Sequence, residues 1–235
     1  MLYLVGLGLN GKGYSREAYD AILKADAVYV DTYTIEFPYD ISAILSQFKG
    51  KKFIPAGREF VEGMKFIEGA KKKEIVLLVY GSPLVATTHS AIIKEAAEKK
   101  IKVKIIHAGS ILDAVAETGL QPYKFGKTAS LPNFPAESYL DTVRENMKIK
   151  AHTLILIDIG LKFENAIKRL KDDCKKKKIK LRKIIICERL GLLDSKIYYN
   201  TIEKIKEKRV RAPFCFVVPG KLHFFEEEVL KSFAE

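Results

Sequence analysis

Residues 75–89 read IVLLVYGSPLVATTH, and this stretch decides the fold class. Its first part, Ile75 to Tyr80, is uninterruptedly apolar, which is typical of a strand buried on both faces in a parallel sheet. Gly81-Ser82-Pro83 then turns the chain out of the sheet, and Thr87 or Thr88 can cap the helix that follows. The pattern predicts exposed backbone at the carboxyl end of this strand, where open α/β sheets bind ligands.

Strands and helices are predicted to alternate on both sides of this stretch. Apolar runs predict further strands at residues 2–7, 27–30, 52–54, 103–106, 153–157, 183–187 and 214–218. Helical patterns cover residues 15–23, 88–99, 110–117, 163–174 and 225–233, while residues 197–207 mix both signals. Residues 119–135 are rich in Gly, Pro and Ser, and their periodicity lapses, as in a connector. We therefore predict two α/β domains, residues 1–118 and 119–235.

Charge and cysteine content limit the possible classes. The chain has 41 Lys and Arg against 29 Asp and Glu, a net charge of +12. The excess is mostly lysine in runs such as Lys175 to Lys178, without interleaved aromatic residues, so we expect solvated helix ends and no direct nucleic-acid binding. The three cysteines form no CxxC pair, which predicts no disulfide framework, no metal site and a reducing cytoplasm. No apolar run approaches the ~18 residues of a membrane span.

A glycine motif leaves an alternative open. Gly6-x-Gly8-x-x-Gly11 follows the first strand, and Asp31 lies about 20 residues farther on, as in the fingerprint of NAD-dependent oxidoreductases. That fingerprint places its last glycine in the first helical turn. Here three residues separate Gly11 from the expected N-cap, Ser15. The spacing therefore predicts that Gly11 lies in a loop, with NAD binding kept as the alternative function.

The segment Gly81–His89 resembles the GDPLVATTH stretch of the diphthine synthases, which belong to the wider tetrapyrrole-methylase fold family. Further segments agree in the same order: LYLVGLGL at 2–9, HAGSILDAV at 107–115, TGLQPYKFGKTAS at 118–130, SYLDTVRENM at 138–147, HTLILIDI at 152–159 and VPGKLHFFE at 218–226. Together they span nearly the whole chain. A corrin or ribosomal-RNA methylase of the same fold family is the nearest alternative, and the segments at 118–130 and 218–226 argue against it.

The resemblance implies a function and a set of partners. It implies an S-adenosylmethionine-dependent methyltransferase that methylates the modified histidine of translation elongation factor 2 to give diphthine. It also implies a homodimer, and two α/β domains with a cofactor cleft between them. A basic, non-enzymatic RNA-binding module is a third hypothesis, from a different class; it predicts binding that falls steeply with salt.

The resemblance also implies the residues of the cofactor site. By motif position they are Leu9, Ser82, Val85, Ser110, Ile111, Ile157, Leu190 and Phe214. Ser82 stands where the family usually has aspartate, so we expect weaker cofactor binding. No catalytic residue is assigned: the candidate proton acceptors are His89, His107, Asp158 and His223. Ordinary structural roles compete with this, since His89 can begin a helix and Asp158 can end a strand, while His152 is expected at the surface.

Overall fold

The computed structural model describes residues 1–234. The chain divides into two compact units, Met1–Ile111 and Leu112–Glu235. The boundary between domains after residue 118 stays a prediction. Thr118 is the last residue of the 3₁₀ helix Val115–Thr118. The expected mixture of helices and strands is confirmed.

Unit 1 is a parallel sheet with helices. Its elements are β1 Leu2–Gly6, α1 Arg16–Lys24, β2 Ala27–Asp31, α2 Ser42–Leu45, β3 Phe53–Ala56, α3 Arg58–Gly63, α4 Phe66–Gly69, β4 Ile75–Val79, α5 Ser90–Glu98 and β5 Val103–Ile106. The strand order is β3-β2-β4-β1-β5, and every neighbouring pair is parallel. Leu77 packs into one core cluster, whereas Val76 and Leu78 pack into another. The prediction that β4 is buried on both faces is therefore confirmed.

The two predicted helix caps in unit 1 have different outcomes. Ser15 caps α1 as expected, because its Oγ accepts a hydrogen bond from the Ala18 amide at 3.1 Å. The prediction that Thr87 or Thr88 caps α5 is wrong. His89 occupies the N-cap position without a side-chain cap. Thr87 Oγ1 instead donates to the Pro83 carbonyl at 2.7 Å, and Thr88 Oγ1 lies 3.2 Å from the Tyr33 hydroxyl.

Unit 2 contains a mixed sheet. Its elements are α6 Ile111–Ala114, which begins on the last residue of unit 1, β6 Ala129–Leu131, α7 Tyr139–Lys148, β7 Thr153–Ile157, α8 Phe163–Lys176, β8 Ile184–Glu188, β9 Lys196–Asn200, α9 Ile202–Ile205, β10 Phe214–Val218 and α10 Phe224–Lys231. The strand order is β6-β7-β10-β8-β9. Only the β6–β7 pair is parallel; the other neighbours are antiparallel.

The predicted connector at residues 119–135 is partly wrong. It contains the 3₁₀ helix Pro122–Lys124 and the strand β6, whose Ala129 and Leu131 are buried in the core of unit 2. A strand of three residues is too short to produce a readable alternation. The mixed signals at residues 197–207 correspond to β9 followed by α9. Within residues 1–234, no helix is long and apolar enough to cross a membrane.

Candidate functional site

Five of the predicted cofactor residues lie at one edge of the unit 1 sheet, four in loops and the fifth, Ile111, at the start of α6. Leu9 follows β1, Ser82 and Val85 follow β4, and Ser110 and Ile111 follow β5. Because β4, β1 and β5 are parallel neighbours, their carboxyl ends meet at this edge. The sheet topology therefore brings these five residues together.

Two glycines join the loops after β1 and β4. Gly8 and Gly81 form an isolated antiparallel bridge in which each amide donates to the other residue's carbonyl, at 3.1 and 3.0 Å. Their φ angles are +71° and +69°, a region that side chains rarely adopt. A Cβ on Gly8 would also lie 2.8 Å from the Gly13 carbonyl oxygen. Backbone, not side chains, therefore forms this part of the edge.

The serines of the site are buried, while its apolar residues are partly exposed. Ser82 is 5% exposed and Ser110 is 4% exposed. The Ser82 hydroxyl lies 3.4 Å from His107 Nδ1, the ring nitrogen of an exposed histidine that follows β5. Leu9, Val85 and Ile111 are partly buried. The edge therefore combines hydroxyl groups and apolar surface and carries no cationic residue among the five.

A buried ion pair supports the loop after β4. His89 and Asp31 are both fully buried, and His89 Nε2 lies 3.1 Å from Asp31 Oδ2. The other ring nitrogen, Nδ1, lies 2.9 Å from the Pro83 carbonyl oxygen. Asp31 also accepts hydrogen bonds from the Thr34 hydroxyl at 2.5 Å and from the Tyr33 amide at 2.8 Å. His89 thus connects the loop that contains Ser82 to the end of β2.

The environment of Asp31 favours its ionised form. Burial by itself would raise the pKa of this carboxyl group. The hydrogen bonds from His89, Thr34 and the Tyr33 amide outweigh burial, so the pKa lies below its ordinary value. Both ring nitrogens of His89 face oxygen atoms, those of the Pro83 carbonyl and of the Asp31 carboxylate.

The remaining three predicted residues lie at one end of the unit 2 sheet. Ile157 ends β7, Leu190 follows β8, and Phe214 begins the antiparallel strand β10 between them. Ile157 and Phe214 pack on the core of the unit, and the Phe214 ring lies 5.6 Å from that of Phe163. Leu190 is 4% exposed. Unit 2 thus presents a compact apolar group.

The four candidate proton acceptors differ in their surroundings. His89 is fully buried and is already paired with Asp31. Asp158 follows β7, where its carboxylate accepts the amides of Ile159 and Asn133 at 2.9 and 3.0 Å. His223 caps α10, and its Nδ1 accepts the Phe225 amide at 3.4 Å. His107 is thus the candidate that lies beside the predicted cofactor residues of unit 1.

The surface position expected for His152 is wrong, because this side chain is fully buried. Its Nδ1 accepts the Gly220 amide at 2.9 Å, and its Nε2 lies 3.2 Å from Glu226 Oε1. A single histidine just before an apolar strand gives no sequence signal for a partner such as Glu226, which is 74 residues away. The pair fixes the turn after β10 and the start of α10.

The structure opposes the NAD-binding alternative. Helix α1 begins at Arg16, so Gly11 lies in a loop as the spacing predicts, and a Cβ on Gly11 would touch only the end of Ile44, at 3.8 Å. Asp31, which would hold the ribose, is buried and committed to His89 and Thr34. The glycine motif instead forms the turn from β1 into the loop that follows it.

Within residues 1–234, no group of three or more His, Cys, Asp or Glu side chains is arranged to hold a metal ion.

Known proteins resemble the chain over nearly its whole length. The family model of the tetrapyrrole (corrin/porphyrin) methylases matches residues 1–206. The diphthine synthase of Methanocaldococcus jannaschii is 38% identical over 100% of this chain and 99% of its own length. That of Methanococcus maripaludis is 35% identical, with the same coverage of both chains.

Solved structures agree with the sequence relatives. A crystal structure of diphthine synthase has a TM-score of 0.91 and 35% identity, covering 99% of this chain and 95% of that chain. A putative diphthine synthase from Entamoeba histolytica has a TM-score of 0.89 and 29% identity, covering 100% and 98%. The chain therefore belongs to the tetrapyrrole methylase family. Within that family it groups with the diphthine synthases, which it matches along its full length.

Proposed function

We propose that the chain is an S-adenosylmethionine-dependent methyltransferase that methylates the modified histidine of translation elongation factor 2, giving diphthine. The observation that carries this proposal is the 38% identity to a diphthine synthase over 100% of this chain and 99% of that protein. A tetrapyrrole substrate is the alternative within the family. It is less well supported, because the relatives that match the whole chain are diphthine synthases.

The eight predicted site residues suit this cofactor. Six of them are apolar and two are serines, and none carries a positive charge that would repel a sulfonium. The Gly8–Gly81 bridge adds bare backbone at the sheet edge, where a ligand can approach closely. We propose that Leu9, Ser82, Val85, Ser110 and Ile111 from unit 1, with Ile157, Leu190 and Phe214 from unit 2, hold the cofactor.

The protein's task in this reaction is alignment. When bound, the cofactor supplies an electrophilic methyl group for an in-line displacement by an amine of the modified histidine. Holding the acceptor and donor in line removes several kcal/mol of the barrier, up to about 7–11 kcal/mol. The apolar residues exclude water from the reacting atoms. The amine must be unprotonated, and we assign no general base.

The decisive test uses elongation factor 2 that carries the unmethylated modified histidine. Incubation with this protein and S-adenosylmethionine is expected to add mass in steps of a methyl group at that histidine, read by mass spectrometry. Thermal shift gives a second readout: S-adenosylhomocysteine should stabilise the protein, by ~2.7 kcal/mol at 100 times its dissociation constant, and NAD should not. An unmodified factor together with stabilisation by NAD would refute the proposal.

The serine at position 82 gives a directed prediction. Ser82→Asp is expected to tighten S-adenosylmethionine binding roughly tenfold, because a hydrogen bond to a charged group contributes about 1.5 kcal/mol more than a neutral one. Isothermal titration calorimetry measures the effect. Ser82→Asn is the matched control, since it has the same size without the charge. Equal affinities for Ser82→Asp and wild type would contradict the expectation.

We further propose a cytoplasmic homodimer. The three cysteines are free and buried, which is compatible with a reducing compartment. The dimer rests on the family resemblance alone. Size-exclusion chromatography with light scattering tests it, and a mass of 26.5 kDa in solution would refute it.

A further inference from the structure

A basic groove occupies the end of the unit 2 sheet that is opposite to Ile157, Leu190 and Phe214. Its volume is about 560 Å³, and its cationic residues are Lys150, Lys180, Arg182, Lys183 and Lys221. Lys150 precedes β7, Lys183 precedes β8 and Lys221 follows β10, whereas the three predicted cofactor residues lie at the other ends of the same strands. A strand of five residues separates the two places by ~17 Å. The groove is therefore distinct from the proposed cofactor site.

The groove combines a cationic rim with an apolar floor. Met147, Leu181, Val218 and Leu222 contribute apolar surface. Glu227 is the one acidic residue among the described residues that line it. None of the five cations forms an ion pair with a carboxylate of residues 1–234. An unneutralised cluster of this kind attracts anionic partners.

The backbone that supports the rim is fixed. The Lys221 amide donates to the Lys150 carbonyl at 3.0 Å, and a Cβ at Gly220 would collide with that same carbonyl oxygen. The close approach requires glycine at position 220, whose amide is also bound by the buried His152. The backbones of Lys150 and Lys221 are thereby fixed relative to each other, so the binding of a partner does not have to order this turn.

We propose that this groove docks an acidic segment of the protein substrate, in which apolar side chains alternate with Asp or Glu. This inference rests on the proposed function for the identity of the partner. The mixture of apolar floor and cationic rim matches such a peptide. Nucleic acid fits less well, because Tyr199 is the one aromatic residue of the described lining and Lys183 already lies 4.8 Å from its ring centroid. A second copy of this chain would bring like charge to the groove.

The test reverses three cations of the groove, with Lys150→Glu, Arg182→Glu and Lys221→Glu combined. The matched control combines Lys49→Glu, Lys52→Glu and Lys72→Glu, which are exposed lysines of unit 1 with the same total change in charge. We expect the groove variant to raise KM for elongation factor 2 about tenfold and to leave kcat and the affinity for S-adenosylhomocysteine unchanged. The control should stay within about twofold of wild type in all three quantities.

Direct binding separates this inference from the proposed function. A fluorescein-labelled peptide of alternating glutamate and leucine should bind the wild type in fluorescence anisotropy, more weakly at higher salt, and should not bind the groove variant. Peptide binding that is lost in the groove variant supports the groove even if no methyl transfer is found. The inference is overturned if the control weakens binding as much as the groove variant, or if a single-stranded RNA oligonucleotide binds the groove more tightly than the peptide.

Discussion

Replacing His89 with alanine is expected to reduce the free energy of unfolding by about 3–5 kcal/mol, the usual cost of removing one partner from a buried ion pair. The side chain is fully buried between Asp31 and the Pro83 carbonyl. Its loss leaves a buried carboxylate with fewer donors and frees the loop that contains Ser82. We therefore expect weaker binding of S-adenosylhomocysteine in addition to the loss of stability. Urea unfolding and calorimetry measure the two effects.

Two conservative variants divide the role of the ring. An asparagine amide nitrogen can replace Nδ1 and keep the contact with Pro83, whereas a glutamine amide nitrogen can replace Nε2 and keep the contact with Asp31. We expect His89→Asn to preserve cofactor affinity better, because Pro83 belongs to the loop after β4. His89→Gln should preserve stability better, because it still donates to the buried charge. Equal behaviour of both variants would contradict this division.

A double-mutant cycle shows whether the unpaired charge causes the loss. Asp31→Asn alone removes the negative charge and leaves His89 in place. The double variant combines His89→Ala with Asp31→Asn and lacks both members of the pair. The double variant should be more stable than the sum of the single effects predicts, by at least ~1 kcal/mol. Additive losses would mean that His89 acts through packing alone.

The arrangement of unit 1 was largely predictable because its signals are local. A continuous apolar run such as Ile75 to Tyr80 predicts a doubly covered strand, and Ser15 followed by an acidic first turn predicts a helix start. The short elements α2, α3, α4 and β6 were not predicted, and neither was the ten-residue helix α7. Elements of three to six residues span less than two helical turns or one or two strand alternations, so their positions depend on packing and not on sequence period.

The candidate site could be predicted only as far as strand ends and motif order allow. The parallel order of β4, β1 and β5 places Leu9, Ser82 and Ser110 at one edge, as the loop positions suggest. The pairs that support the loops could not be predicted in this way. His89 and Asp31 lie on different elements, and His152 and Glu226 are 74 residues apart. Such contacts depend on how strands and helices are arranged in three dimensions, and a single histidine carries no signal for them.

The second large effect is expected at Glu226, a fully buried carboxylate in unit 2. Its Oε1 accepts the Gln121 amide at 3.0 Å and lies 3.2 Å from His152 Nε2. Its Oε2 accepts the His223 amide at 2.7 Å and binds the Lys124 ammonium group. One side chain thus holds the 3₁₀ helix at residues 122–124, the start of β7 and the start of α10. Glu226→Gln replaces an acceptor oxygen by an amide nitrogen that faces donors, and should cost about 3–5 kcal/mol at pH 7.

The cost of Glu226→Gln is expected to depend on pH in a defined direction. Burial alone would raise the pKa of Glu226, but Lys124, the amides of His223 and Gln121, and His152 outweigh it and lower the pKa from 4.5 to about 2. At ~1.4 kcal/mol for a pKa difference of one, this shift corresponds to roughly 3 kcal/mol. That stabilisation is fully present above pH 4.5, because the unfolded state then gives up its proton too. It declines as the pH falls from 4.5 toward 2, since the unfolded state then binds a proton that the folded state excludes.

His152 adds to the loss of stability in acid. Burial lowers the pKa of this histidine below 6.5, against the opposing effect of Glu226. Protonation of its Nδ1 would also break the hydrogen bond from the Gly220 amide. Its contribution to stability therefore declines as the pH falls below 6.5, before that of Glu226 begins to fall.

Urea unfolding of wild type and Glu226→Gln at pH 7, 5 and 3.5 tests the role of the Glu226 charge. The difference between their free energies of unfolding should become smaller at the lowest pH. Glu228→Gln, an exposed position on the same helix, should stay within about 0.5 kcal/mol of wild type throughout. A constant difference for Glu226→Gln across the three pH values would show that its ionisation does not stabilise the fold.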